Sequence, residues 1–230
     1  MNRLQHPLCF RDFYRESEPS QAELWLERYR DVMTTLQPGD ATYLGRYAIS
    51  NGMKPLGPDC LIQNIRWRAL EKRGEKLLLI SEYVLDWELF AFDGEKWKES
   101  YLRDLLNGEY LQQWFTPEEQ LLLCGEPDKV YLLSADKVKR YFPEPDSATA
   151  YLLISNDYFP DNDDLAYHVE KNRTEWWLCT PGTDAGCTTY VNRFGKVDEA
   201  GFDSDADEFG VRPVIWIDLS RIDNILKGEA

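Results

Sequence analysis

Apolar residues recur at spacings of three and four from Ser20 to Leu36. Ala22, Trp25, Tyr29, Val32, Met33 and Leu36 form one stripe, and Glu23, Glu27, Arg28 and Asp31 fill the other side. This pattern predicts an amphipathic helix, opened by a Ser20/Glu23 capping box and stopped at Pro38-Gly39. From Tyr43 the texture changes to short β-like runs. Tyr43 to Ile49 is followed by a loop containing Gly52, Pro55, Gly57 and Pro58. A hairpin is then predicted, with arms Leu61–Leu70 and Lys76–Ser81 and a turn at Arg73-Gly74-Glu75. Ile65, Trp67 and Ala69 share one face of its first arm. The unbroken Leu77-Leu78-Leu79-Ile80 reads as a strand buried on both sides.

The helical period returns after Trp97, with Ser100 as N-cap, Leu102, Leu105 and Leu106 as the stripe and Asn107-Gly108 as the stop. A second turn through Tyr110, Leu111, Trp114 and Phe115 is expected to end at Pro117, followed by a strand at Val130–Ser134 and a short helix at Asp136–Phe142. The last third reads as strands: Glu175–Thr180, a hairpin of Thr188–Arg193 and Lys196–Glu199 turning at Phe194-Gly195, and Phe209–Leu219. Helices embedded among strands without strict alternation argue against a doubly wound parallel sheet and for an α+β fold. The organisation expected is an N-terminal helical extension over residues 1–40 and one domain over 41–230.

Charge narrows the function classes. The chain carries 26 basic and 41 acidic side chains, a formal charge of −15, which disfavours nucleic acid and anionic lipid as partners because phosphate binding relies on Lys and Arg. The acidic surplus is concentrated. Residues Phe142 to Glu170 hold seven acids and no Lys or Arg, and Val197 to Val211 hold six and again none. Such segments read as solvated loops, or as sites for a cation or a basic partner. No apolar run long enough for a membrane span and no signal peptide is readable, so a cytoplasmic protein without a membrane partner is expected. The five cysteines, Cys9, Cys60, Cys124, Cys179 and Cys187, include no CxxC pair and are expected to be reduced, with Cys179 and Cys187 as the one plausible disulfide.

Several blocks carry a family resemblance: Ile65 to Leu70 (IRWRAL), LLLISEYVL ending at Leu85, Trp97 to Arg103 (WKESYLR), Lys129 to Ser134 (KVYLLS), Trp176-Trp177-Leu178, and Phe209 to Ile217 (FGVRPVIWI). Over about residues 43 to 220 the chain resembles an uncharacterised bacterial domain family that looks like the C-type-lectin-like fold in its formylglycine-generating-enzyme variant. The resemblance implies mixed, mainly antiparallel sheets with two packed helices and long irregular loops that carry any binding site. The N-terminal helix falls outside it.

Candidate chemistry is sparse. Only His6 and His168 are present, there is no nucleophile elbow, Walker loop or GxGxxG, and zinc-ligand spacing is absent. The acids Asp161, Asp163 and Asp164 cluster, and Asp203, Asp205 and Asp207 alternate, a supply of hard oxygen ligands that makes calcium the candidate metal, with Asp203, Asp205 and Asp207 as its ligands. The EF-hand pattern fails, since Glu208 stands where it requires Gly and Val214 where it requires Glu. The oxidase branch of the resembled fold binds copper through two cysteines, for which Cys179 and Cys187 are the candidates. Trp176 and Trp177 must point to opposite faces of a strand, one into the main core and the other under a helix or into a ligand groove. Trp216 reads as core, and Arg212 as a structural anchor to an acid or to loop carbonyls. The favoured expectation is a non-catalytic binding module that recognises a protein or glycan ligand through acidic, aromatic-bearing loops. Its candidate contacts are Asp161, Asp163, Asp164, His168, Trp177, Tyr190, Asp203, Asp205 and Asp207, with no obligate cofactor. The alternative is a formylglycine-generating-type oxidase acting through the cysteine pair.

Overall fold

The computed structural model describes residues 29–48, 62–144, 146–152, 173–207 and 209–227. Residues 29–35 are helical (α1), and the Ser20/Glu23 cap, Cys9 and Cys60 lie outside the described residues. Tyr29, Met33 and Leu36 bury in the main core beside Leu44 and Trp67. Lys72 donates through Nζ to the carbonyls of Thr34 and Leu36, which places a cation at the helix C-terminus.

Two five-stranded sheets form the frame. Sheet I has the order β1 (Ala41–Ala48), β2 (Ile62–Arg73), β3 (Lys76–Ser81), β12 (Val214–Asp218), β5 (Val130–Tyr131), antiparallel throughout. Sheet II has the order β10 (Val197–Asp203), β9 (Cys187–Val191), β8 (Trp176–Pro181), β11 (Gly210–Val211), β4 (Asp86–Trp87), with β8 and β11 parallel and the remaining pairs antiparallel. A two-stranded ribbon joins β6 (Ala150–Tyr151) to β7 (Arg173–Thr174). The fold is α+β and mostly antiparallel.

Side-chain alternation divides the interior into two hydrophobic clusters. Ile65, Trp67 and Ala69 of β2 and Leu77 and Leu79 of β3 enter the larger, while Leu78 and Ile80 enter the smaller. The expectation of a strand buried on both sides therefore holds for β3. The adjacent tryptophans of β8 divide the same way, Trp177 into the larger cluster and Trp176 into the smaller, and both are fully buried. Trp216, expected in the core, is instead half-buried at the margin of the smaller cluster, with the Arg73 guanidinium 5.1 Å from its ring centroid.

Two further expectations are corrected in detail. Pro117 starts a helix: after α2 (Tyr101–Asn107), capped by Ser100 as expected, and α3 (Glu109–Trp114), a further helix α4 runs over Pro117–Leu122. Thr116 caps it in a full capping box with Glu119, and proline fits the first helical position because the N–H it lacks has no partner there in any case. The run Phe209–Leu219 is two strands, split at Arg212-Pro213. Pro213 donates nothing to a ladder, and at this point the chain leaves sheet II for sheet I. The short helix α5 (Ala135–Tyr141) is capped by Ser134, and α6 (Ile222–Lys227) closes the described chain.

Candidate functional site

The best-organised polar constellation lies where β4 meets α2 and α3. Leu85 N–H donates to Val211 O at 2.9 Å and Glu88 N–H to Phe209 O at 3.2 Å, which fixes β4 on the edge of sheet II. The approach is close enough to require glycine at 210, where a Cβ would sit 2.6 Å from Val84 Cγ1 and 2.9 Å from Glu175 O. With β4 held, strand alternation turns Asp86 and Glu88 to one side and Trp87 to the other. Trp87 Nε1 donates to Thr174 Oγ1 at 3.1 Å. On the opposite side, Tyr110 of α3 stacks on Trp114 at 4.6 Å, and its hydroxyl lies 2.8 Å from Asp86 Oδ2 and 2.7 Å from Glu88 Oε1.

That hydroxyl has one proton and faces two carboxyl groups. It donates to one of them, and the second contact becomes a hydrogen bond when that carboxyl itself carries a proton and donates to the phenolic oxygen. Glu88 is suited to this role. Burial pushes its carboxyl above the ordinary value, the negative charges of Asp86 and Glu109 add to the shift, and the Tyr110 hydrogen bond opposes it. A carboxyl raised in the folded state contributes stability that is fully present below its unfolded value and is lost as pH rises through the folded one. Glu88→Gln keeps an N–H donor for Tyr110 and cannot ionise. Urea denaturation between about pH 4 and 8 is therefore expected to show wild type losing stability relative to Glu88→Gln as pH rises. Parallel pH profiles for the two proteins contradict the shared-proton arrangement.

Aromatic rings back and flank this cluster. Trp177 stacks on Phe209 at 4.1 Å, meets Phe90 edge-on at 5.9 Å, and donates its indole N–H to Glu88 O at 2.8 Å. Tyr190 lies 4.8 Å from Phe209, and Phe202 5.2 Å, so a run of rings leads from the core to the exposed Phe202 on β10. On the other flank Phe92, 60 % exposed, meets Tyr101 of α2 edge-on at 5.2 Å. Burial and then the charges of Glu88, Glu109 and Asp86 raise the Tyr101 hydroxyl, which places it in the same field. Ser204 O accepts from the N–H groups of Phe90 and Ala91, both at 2.9 Å, so the turn after β10 lies beside the 88–92 loop.

The sequence-selected residues are distributed unevenly about this site. Trp177 is a fully buried floor residue, and Tyr190 is half-buried with its hydroxyl donating to Asp198 Oδ2 at 3.3 Å. Asp203, Asp205 and Asp207 are exposed around Ser204. Among the described residues no three His, Cys, Asp or Glu side chains gather in a way that would hold a metal ion. Asp161, Asp163, Asp164 and His168 lie outside the described residues. Cys124, Cys179 and Cys187 are free thiols. Burial pushes Cys179 up to about 11, and the Cys187 thiol, raised by burial and then by Asp203, donates to Asp203 Oδ1 at 3.6 Å. The register sets Trp177 against Tyr190 and Pro181 against Thr188, so Cys179 and Cys187 do not face each other across the ladder. Asp86, Glu88, Tyr101 and Tyr110 were not selected by sequence, although two acids flanking a tryptophan in an otherwise apolar run (VLDWELF) mark an edge strand that turns carboxylates toward a neighbour.

Residues 125–219 match a family described as Domain of unknown function (DUF6273). The matched stretch supplies Trp177, Tyr190, Phe202 and Phe209, whereas Asp86, Glu88, Tyr101 and Tyr110 precede it. No curated protein and no solved structure matches the chain significantly. Among the described residues no helix is long and apolar enough to cross a membrane.

Proposed function

We propose that the protein is a non-catalytic binding module, built on a scaffold resembling the C-type-lectin-like fold, that recognises a protein or glycan ligand through an acidic face carrying aromatic side chains. The observation that carries this reading is the Asp86–Tyr110–Glu88 cluster, with its two acids half-buried around a buried tyrosine; the exposed Phe92 packs on Tyr101 of α2, and the exposed Phe202 packs on Phe209, whose carbonyl accepts from Glu88 N–H. Carboxylates in this setting accept hydrogen bonds from the hydroxyls of a sugar or the N–H groups of a basic side chain. Exposed rings pack against the apolar faces or stems of the same ligands. The described thiols are raised in pKa, which suits structural cysteines better than a reactive pair.

Thermal-shift titration with a glycan panel and with a lysine-rich peptide tests the proposal, because a ligand at a hundredfold excess over its dissociation constant stabilises by about 2.7 kcal/mol. At least one probe is expected to raise the melting temperature of wild type, with the rise largely lost in Phe92→Ala. A flat response across both sets, or a rise unaffected by Phe92→Ala and Phe202→Ala, overturns it.

A further inference from the structure

The outer face of β2 has the opposite character from the rest of this acidic chain. Opposite Ile65, Trp67 and Ala69, the strand presents Asn64, Arg66 and Arg68. The antiparallel register sets Tyr43 across from Arg66 and Arg46 across from Asn64. On the other side, Glu82 N–H donates to Arg66 O at 2.8 Å. Arg68 forks onto the Glu82 carboxylate, with Nε 3.1 Å from Oε2 and Nη2 on Oε1. Beyond it lies Arg212, only 2 % exposed, donating to Ser81 O at 3.0 Å and Ala148 O at 3.3 Å, its guanidinium 5.0 Å from the Trp176 ring centroid and 5.4 Å from that of Phe142. Burial lowers Arg212 to about 10, with Glu82 opposing the shift. Glu82 in turn is lowered although burial raises it, because the Arg68 hydrogen bond and the charges of Arg68, Arg212 and Arg66 outweigh that effect.

Among the described residues, Glu82 is thus bonded by Arg68 and also feels the charges of Arg212 and Arg66. Glu82 spends both oxygens on Arg68. Arg66 Nε is buried and has no hydrogen-bond partner. A buried charged donor left unpaired is costly, on the order of 1–3 kcal/mol or more; Arg66 as a whole is half-buried, so a modest turn of its guanidinium would let an acceptor from outside the chain pair with it. The strip opens at the Asn64 end into a depression of about 510 Å³ lined by Tyr43, Arg46, Ile62, Gln63 and Asn64. That volume lies in the range of small-molecule sites, roughly 300–1,000 Å³. Arg46 is held over it by a hydrogen bond from Nε to Asn64 Oδ1 at 3.1 Å. The lining pairs amide and guanidinium donors with an aromatic ring and an exposed isoleucine, a combination suited to a molecule with one anionic end and one apolar end.

We propose that this face binds a small oxyanion-bearing molecule, a phosphate ester or a carboxylic acid, whose charged group sits on Arg66 and Arg46 and whose body rests against Tyr43 and Ile62. The net charge of −15 selects for a small ligand: a long polyanion would meet repulsion from the rest of the surface, whereas a single oxyanion feels mainly the local guanidinium groups. Guanidinium geometry matches both carboxylate and phosphate oxygens in pairs, so the shared chemistry is a planar fork on two oxygens. The site is separate from the acidic face and stands or falls independently of it.

Isothermal titration of the full chain at low ionic strength, with phenyl phosphate and inorganic phosphate in one arm and benzoate and citrate in the other, tests the site and identifies its source. Saturable binding is expected in at least one arm, weakening with added salt and falling about tenfold or more in Arg66→Gln and in Arg46→Gln. Arg66→Lys, which keeps the charge and loses the fork, is expected to fall between. Arg193→Gln removes an equal charge at an exposed arginine paired with Glu175 on sheet II, and should bind as wild type. Far-UV circular dichroism checks that each variant is folded, and if Arg66→Gln is not, Arg46→Gln decides. Absence of saturable binding in both arms, or equal affinities for Arg46→Gln, Arg66→Gln and Arg193→Gln, overturns the proposal.

Discussion

Trp177→Ala is expected to lower the stability of the protein by about 3–5 kcal/mol, the loss typical of truncating a fully buried large aromatic side chain. For a chain of this length that corresponds to a fall in melting temperature on the order of 10 °C. Three contacts are removed together: the stack on Phe209, the edge contact with Phe90, and the hydrogen bond to Glu88 O. Trp177→Phe separates them, since a phenyl ring keeps much of the packing and leaves only the Glu88 carbonyl without its donor. A loss of about 1–2 kcal/mol is expected there. Denaturant unfolding measures both. Because Glu88 O belongs to the residue that shares a proton with Tyr110, Trp177→Phe should also change the pH profile of stability, whereas a residue that only fills space would not. A loss below about 1 kcal/mol for Trp177→Ala contradicts its place in the core.

The second large effect is expected at Glu119, a fully buried acid. Its Oε2 accepts from Thr116 N–H at 2.8 Å, completing the α4 capping box, and its Oε1 accepts from Gly45 N–H at 3.1 Å. It therefore joins α4 to the bulge of β1, where Gly45 has φ +71° and an added Cβ would meet Trp114 O at 2.7 Å. Glu119→Ala strands the buried Gly45 donor and the part-buried Thr116 donor, at about 1–3 kcal/mol each, so a total loss of roughly 2–6 kcal/mol is expected in urea denaturation. Glu119→Gln retains one acceptor oxygen and is expected to lose about half as much. If alanine and glutamine prove equal and mild, the carboxylate is not the link between these elements.

Elements governed by local pattern were legible in the sequence. The alternation of Ile65, Trp67 and Ala69, the unbroken Leu77–Ile80 run and the Ser100 cap each carry their own signal over a few residues, and each is found where that signal places it. Arg212 bonds the carbonyls of Ser81 and Ala148, one of the two anchorings expected of it. Proline ends helices as readily as it starts them, and at Pro117 the Thr116/Glu119 pair around it decides for a start. The paired tryptophans were expected to divide between the main core and a lesser setting. Both are fully buried because the chain assembles two clusters, which no window of residues reveals. The Asp86–Tyr110–Glu88 cluster was illegible for a related reason: its members become neighbours only through the pairing of β4 with β11 and the seating of α3, contacts between residues far apart in the chain.

The place of β12 bears on how the chain reaches this structure. The last of the described strands, β12, is internal to sheet I, between β3 and β5, and reaches it by the Arg212-Pro213 crossing from β11, itself internal to sheet II. β3 is synthesised well before β12, so it waits for its second neighbour while all the residues between them are made. Until then the nascent protein holds an open, strongly apolar strand margin, the kind of surface that recruits chaperones or stray chains. Completion depends on joining segments that are distant in sequence, which makes assembly slow by topology alone. β12 thus acts as the closing piece that joins β3 to β5.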